Sequence, residues 1–260
     1  MSEPQPLSHP FAAFFDLDGT LAINNGAPSG ADRDAIRAFR RQGNFAFLCT
    51  GRAPAFLYPA VLDIGFDGIV AGAGAHITLG NRVLYRRFLS EQTIRNVADF
   101  SARTGDVCIL EGETGMFQVD IRGHSRYPWA TIVSGDDFFA RYPHEVITKL
   151  TYFCPFNADL EKLLSNLHVI RHPDYFEAVP AGCSKSEGLQ RVLGELDIPR
   201  ENSLAFGDSM NDADMLRAAG HSLVVANAPA DIQALGSEVI PSVYDDGVAQ
   251  WIERFLAQAQ

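Results

Sequence analysis

The chain has 260 residues, 47% of them hydrophobic, with 21 lysines and arginines against 32 aspartates and glutamates. The net charge of -11 argues against nucleic acid or an anionic membrane surface as a partner, while a small anionic substrate stays open if a metal supplies local positive charge. Four dispersed cysteines, Cys49, Cys108, Cys154 and Cys183, form no close metal-binding pair and read as reduced, mostly buried thiols.

Residues 1–10, with three prolines and no basic cluster, read as a flexible tail. Phe11 to Phe15 has the length of a buried strand and is too short for a signal segment or a membrane span. No other apolar run reaches the length of a span, so a cytoplasmic protein is expected. The run ends in Asp16-Leu17-Asp18-Gly19-Thr20. Ligands of an open α/β sheet bind at the carboxyl ends of its strands, so Asp16 faces a crevice there. A carboxylate in that place is a metal ligand, a nucleophile or part of an Asp-Gly turn.

Ala22 to Gly30 is a polar loop, and Ser29 can cap a helix over about residues 31–42, with Ala31, Ala35, Ala38 and Phe39 at helical spacing. Asn44 to Cys49 reads as a second buried strand, stopped by Thr50-Gly51-Arg52. A helix from about Pro54 and a strand over Gly68 to Ala71 complete a β-α-β-α-β order, the pattern of a mostly parallel sheet with helices on both faces.

The pattern changes near Gly72. Residues 73–78 and 81–85 read as a hairpin, Ser90 can cap a helix over 91–104, and 106–110 with 116–119 read as a second hairpin. Helices and strands follow over 136–142, 145–153, 158–166 and 169–171, with a strand over 175–179. This stretch is long enough for a second α/β domain, placed at 83–181 and inserted between the halves of a core at 11–82 and 182–260. The opening style then returns, with a helix over 184–196 and a strand over 203–206 that leads into Gly207-Asp208-Ser209-Met210-Asn211-Asp212. A short helix over 213–219, a strand over 222–225, a helical turn over 232–236 and a last helix ending near Ala257 close the chain.

Singly, these motifs have plain readings: Thr50-Gly51 as a turn, Lys185 as a solvated helix residue, Asp208 to Asp212 as a capped loop. Together, at three strand ends and one helix start of a doubly wound sheet, they outline a phosphate site. A hard divalent cation such as Mg2+ takes oxygen ligands, which Asp16, Asp208 and Asp212 can supply. Thr50 and nearby backbone donors can hold phosphoryl oxygens, and Lys185 offers a point charge.

The chain resembles the haloacid-dehalogenase superfamily of hydrolases, in its Cof-type branch with a large α/β cap. Asp16-Leu17-Asp18-Gly19-Thr20 is similar to the first motif of that family, Thr50-Gly51-Arg52 to the second, Lys185 to the third, and Gly207-Asp208 with Asn211-Asp212 to the fourth. Asp246-Gly247-Val248 is similar to a segment near the C-terminus. The resemblance implies a Rossmann-like core and a Mg2+-dependent phosphatase working through an aspartyl phosphate. Asp16 would be the nucleophile and Asp18 the acid and base. Thr50, Gly51, Arg52 and Lys185 would hold the substrate, and Asp16, the Asp18 carbonyl, Asp208 and either Asn211 or Asp212 would hold the metal.

The chain departs from the family pattern where Ser186-Glu187 follow Lys185 in place of Gly, and where Ala73-Gly74-Ala75 replaces Asn-Gly-Ala. In the inserted domain Glu111, Glu113, Arg122, His124, Arg126 and Trp129 stand in or after loops and could touch the leaving group. Arg122 is taken as a substrate contact and His124 is given no catalytic role. Small phosphorylated metabolites are the expected substrates, sugar phosphates first and pyridoxal phosphate or flavin mononucleotide second, with no obligatory protein partner. A phosphomutase and a non-catalytic phosphate-binding regulator are the alternatives; phosphate release, isomer formation and binding without turnover tell the three apart.

Overall fold

The structure, a computed structural model, describes residues 10–24, 26–119, 127–172 and 174–258. Arg122, His124, Arg126 and the expected tail apart from Pro10 lie outside the described residues. The first half of the core carries β1 (Ala12–Phe15), α1 (Gly30–Arg41), β2 (Phe45–Cys49), α2 (Pro59–Leu62), β3 (Gly68–Ala71), β4 (His76–Leu79) and β5 (Arg82–Arg86). The inserted part carries α3 (Glu91–Thr104), β6 (Cys108–Gly112), β7 (Met116–Val119), β8 (Thr131–Val133), α4 (Gly135–Arg141), β9 (Ile147–Tyr152), α5 (Ala158–Leu163), β10 (Leu167–Arg171) and β11 (Phe176–Pro180). The core resumes with α6 (Lys185–Leu196), β12 (Ser203–Gly207), α7 (Ala213–Ala218), β13 (His221–Val225), α8 (Ala230–Gln233), β14 (Glu238–Ile240) and α9 (Gly247–Gln258).

The core sheet runs β14-β13-β12-β1-β2-β3-β4-β5, and only β4 and β5 are antiparallel additions. Residues 83–86, taken from sequence as the start of the insertion, run in this sheet as part of β5 and pair with β4. β1 sits in the middle, with β2 on one side and β12 on the other. The strand order reverses there, and a doubly wound sheet opens its ligand crevice at such a reversal.

β1 is apolar throughout because helices cover both faces of a parallel sheet. Ala13 and Phe15 join one cluster with Ile36 and Phe39 of α1 and Val248 and Ile252 of α9. Ala12 and Phe14 join the opposite one with Leu189 and Val192 of α6 and Met215 of α7. Phe14 stacks on Phe47 and Phe15 on Phe206, at 5.2 and 4.6 Å between ring centroids. Each such ring taken from water contributes about 1.5–3 kcal/mol, which fixes the strand that delivers Asp16.

Local signals set the helix starts. Ser29 Oγ accepts from Asp32 N at 2.9 Å and Ser90 Oγ from Thr93 N at 3.1 Å, as expected of caps. The helix expected from Pro54 is instead a single 3-10 turn, Pro54–Phe56, followed by the short α2. Tyr58 precedes Pro59 and is extended, with ψ 156°, so the helix is interrupted where a proline disfavours it. The three-residue β8 was not anticipated; it is a parallel addition at the edge of the second sheet.

The second sheet runs β10-β11-β9-β6-β7-β8. Cys108, Leu110, Leu150, Tyr152 and Phe176 pack on α3, α4 and α5, forming a hydrophobic core of the insertion's own. The other face holds Ile109, Glu111, Lys149, Thr151 and Glu177, and it is turned toward the carboxyl ends of the core strands. All four cysteines are free and buried. Among the described residues no helix is long and apolar enough to cross a membrane.

Candidate active site

The chain leaves β1 with Asp16 still held by the sheet, its N–H donating to Phe206 O at 3.0 Å. It then turns sharply, with Leu17 O accepting from Leu21 N and Ala22 N at 3.0 and 2.8 Å. Gly19 makes the turn possible at φ +94°, and a Cβ there would lie 2.3 Å from Asp208 Oδ2. The first acidic motif is thereby pressed against the second. Thr20 Oγ1 completes the contact by donating to Asp208 Oδ1 at 3.0 Å.

Asp208 and Asp212 lie in the loop after β12. Asp212 Oδ2 accepts from the backbone N–H groups of Asp208 and Ser209, both at 3.0 Å, so one carboxylate holds the loop in place. Lys185, in the first turn of α6 behind the Ser184 cap, reaches across and donates to Asp16 Oδ1 and Asp212 Oδ1, each at 2.5 Å. Its side chain is only 1% exposed.

Carboxylate oxygens of Asp16, Asp208 and Asp212 lie within 4.8 Å of one another. Three carboxylates against one ammonium leave a surplus of two negative charges in a buried place. Burial and the neighbouring Asp212 push the Asp16 carboxyl well above its ordinary range, and the same two causes push Asp208 up to about 6. Burial opposes the charge on Lys185, but Asp16 and Asp212 outweigh it and hold its pKa well above the usual lysine value. The donors are all oxygen and the charge deficit is two, so the cluster fits a hard divalent cation.

Thr50 follows β2, and its Oγ1 accepts from Arg52 N at 3.1 Å. Arg52 forms a two-pronged ion pair with Asp18, Nε to Oδ2 at 2.8 Å and Nη2 to Oδ1 at 2.5 Å, and lies over the rings of Phe56 and Tyr58. Arg52, expected on the substrate, lines the cavity and also holds the second acid of the first motif. Asn211 Oδ1 accepts from Ser209 Oγ at 2.7 Å, and a Cβ on Gly51 would be in ordinary contact with Asn211 Nδ2 at 3.6 Å.

Asp16, Asp18, Gly51, Arg52 and Asn211 open onto a cavity of about 470 Å³ whose far wall is the polar face of the second sheet. Glu111 stands opposite Lys149, and Glu177 opposite Thr151, across neighbouring strands. Lys149 Nζ lies 2.5 Å from Glu177 Oε1 and 3.2 Å from Glu111 Oε1, and Thr151 Oγ1 donates to Glu111 Oε1 at 2.5 Å. Glu111 and Trp129 were expected near a leaving group, and both line the cavity. Glu113 does not; it pairs with Arg86 at 3.1 Å. Lys149, Thr151 and Glu177 were missed, although polar residues alternating inside otherwise apolar strands were a readable signal.

The departure at Ala73 has a backbone side to it. Ala73 sits at φ 48° and ψ 45°, the left-handed region that asparagine tolerates better than alanine. Gly74 beside it approaches Ser184 O so closely that a Cβ would lie 2.1 Å away.

With this arrangement in view, the chain belongs to the haloacid dehalogenase-like hydrolases: a family profile of that description matches residues 13–252. Within that class its fold and acid cluster are those of a phosphatase with an inserted α/β cap. The Bacillus subtilis protein YkrA is 26% identical over 251 residues, covering 91% of this chain and 94% of its own. The HMP-PP phosphatase of Yersinia enterocolitica is 26% identical over 271 residues, with coverage of 94% and 95%. A solved phosphatase of the same superfamily from Bacteroides thetaiotaomicron superposes with a TM-score of 0.79 at 26% identity, covering 95% of each chain.

Proposed function

We propose that the chain is a Mg2+-dependent phosphomonoester hydrolase that works through an aspartyl phosphate on Asp16. The observation that carries this reading is Lys185 clamped between Asp16 and Asp212, with Asp208 close enough to share a cation with both. Asp16, Asp208, the Asp18 carbonyl and either Asn211 or Asp212 would hold the ion. Mg2+ bound there would neutralise charge between an anionic nucleophile and an anionic phosphate.

The chain's own groups account for the rest. An Asp16 carboxylate oxygen forms a bond to phosphorus while the bond from phosphorus to the ester oxygen breaks. Once Asp18 leaves Arg52 and takes a proton from solvent, it gives that proton to the ester oxygen and afterwards takes one from the water that cleaves the aspartyl phosphate. The Thr50 Oγ1 lone pair is already used by Arg52 N, which leaves the hydroxyl hydrogen to donate to a phosphoryl oxygen. Lys185 supplies the fixed positive charge and opposes the upward push that burial and Asp212 exert on the Asp16 carboxyl. The inserted segment closes the cavity from above, which suits small phosphorylated metabolites.

Names among the relatives agree with this size class, since HMP-PP phosphatases and a phosphoribitylaminouracil phosphatase are among them. The test is Asp16→Asn together with chelation and Mg2+ add-back, read as phosphate release from an aryl phosphate. Loss of at least about 10⁴ in turnover with an unchanged thermal melt is expected, because the shape stays and the nucleophile goes. Wild-type-like release from the variant, or activity that survives exhaustive removal of divalent ions, would sink the reading.

A further inference from the structure

The cavity beyond the phosphate site has two unlike walls. One is a run of aromatic rings that crosses from the core to the cap. Phe56, from the turn after the second motif, lies 4.9 Å from Trp129; Trp129 lies 4.8 Å from Tyr127, and Tyr127 lies 5.2 Å from Phe153. Tyr175 continues it 5.9 Å from Phe153, and all five rings line the cavity. Trp129 is 45% exposed, an unusual place for a large ring unless something covers it.

The second wall is the row Glu111, Lys149, Glu177. These side chains are buried within the cap, yet they face the cavity. A buried ion pair of this kind seldom stabilises a sheet better than apolar residues of the same size, so its presence calls for a use. Two carboxylates serve one ammonium here, and the row therefore offers more acceptor than donor capacity. Glu177 spends its second oxygen on His172 Nε2 at 3.4 Å, whereas Glu111 has Lys149 and Thr151 both on Oε1.

Resting on the hydrolase reading above, we propose that the leaving group is a planar aromatic or heteroaromatic ring. Its face stacks on the Phe56–Trp129–Tyr127 wall, and an amino or hydroxyl donor on its edge meets Glu111. A ring satisfies both walls at once: its faces bury against aromatic surface, and its in-plane N–H or O–H groups reach an acceptor row. An aliphatic polyol has hydroxyls all round its carbon chain and would leave many of them against Phe56, Trp129 and Phe153 without partners. The preference among substrates thus turns from sugar phosphates toward ring-bearing phosphate esters, and Trp129, Tyr127 and Glu111 become its specificity-determining residues.

The experiment compares kcat/KM for pyridoxamine phosphate, glucose phosphate and glycerol phosphate in the wild type, Trp129→Ala, Tyr127→Leu and Glu111→Gln. Pyridoxamine phosphate is expected to exceed glucose phosphate by at least about tenfold, and each wall variant to shrink that ratio several-fold. Glu111→Gln should shrink the ratio of pyridoxamine phosphate to phenyl phosphate, which has a ring and no edge donor. Binding is read separately in the inactive Asp16→Asn protein, where pyridoxamine phosphate should quench tryptophan emission and glucose phosphate should not. Equal or better turnover of glucose phosphate, or a ratio untouched by either wall variant, would overturn the ring assignment alone. Phosphate release from none of the esters would overturn the hydrolase reading beneath it.

Discussion

Two buried lysines each stand between two carboxylates, and only Lys149 lines the cavity. Lys185 stands between Asp16 and Asp212 in the core, and Lys149 between Glu111 and Glu177 in the cap. The outcome for the acids differs. In the core a third carboxylate, Asp208, tips the sum, and Asp16 and Asp208 are both driven up by burial and repulsion. In the cap, burial works to raise Glu177, but Lys149 and then His172 outweigh it and pull the carboxyl down to about 2. Burial raises Glu111, with Lys149 opposing. A lysine between two acids therefore pulls one of them down, as it does Glu177, or is outweighed, as at Asp16, where a further anion is present.

The largest effect should come from breaking the core side. Lys185→Met is expected to lower turnover by about 10³, the scale of removing a fixed donor from a transition-state site. Phosphate release measured with saturating Mg2+ checks this, and a loss under tenfold would demote Lys185 to a structural role. On the cap side the effect should fall on stability instead. Lys149→Met leaves two buried carboxylates facing each other and should lower stability by about 3–5 kcal/mol. Replacing Glu111, Lys149 and Glu177 together by Leu, Met and Leu should restore most of that loss in a denaturant melt while the substrate preference stays lost. A triple variant as unstable as Lys149→Met would mean that packing, not charge, dominates the row.

A finer probe is pH. The Glu177 pKa falls from 4.5 free to about 2 folded, so its ionised form stabilises the fold above pH 4.5, and that stabilisation is lost as pH falls toward 2. The wild type should exceed Glu177→Gln by on the order of 3 kcal/mol at neutral pH, the upper limit set by such a shift. The gap should close as the solution is acidified. A gap constant from pH 7 to pH 3, in melts compared at each pH, would show that the Glu177 charge does not carry it.

The core could be read from sequence because parallel strands buried on both faces are unbroken apolar runs. Phe11 to Phe15, Asn44 to Cys49 and Ser203 to Phe206 announce themselves, and each is followed by a polar motif that gains its meaning from the other two. The cap was less legible. Its strands mix apolar residues for one face with Glu111, Lys149, Thr151 and Glu177 for the other, and a sheet register was needed to bring those four together. Arg52 shows a second limit: its position beside Thr50-Gly51 was plain, but its partner Asp18 lies 34 residues earlier in the chain. The Pro54 segment was misjudged because two prolines five residues apart suit a helix start singly and interrupt one together.

The central place of β1 has a consequence for synthesis. Its partner on one side, β2, follows within the same stretch of chain, but on the other side Ala12 pairs with Ser203. A ribosome must therefore complete the entire cap before the strand that carries Asp16 gains its second neighbour. The cap has its own sheet and hydrophobic core and can close first, while β1 waits with an open edge. A chain stopped at Gly182 should accordingly protect the amides of β6 and β9 from hydrogen exchange and leave the Asp16 N–H, whose acceptor is Phe206 O, unprotected; equal protection of both would refute this order. The acid cluster then assembles late and all at once, when β12 slots in beside β1 and carries Asp208 to Asp16.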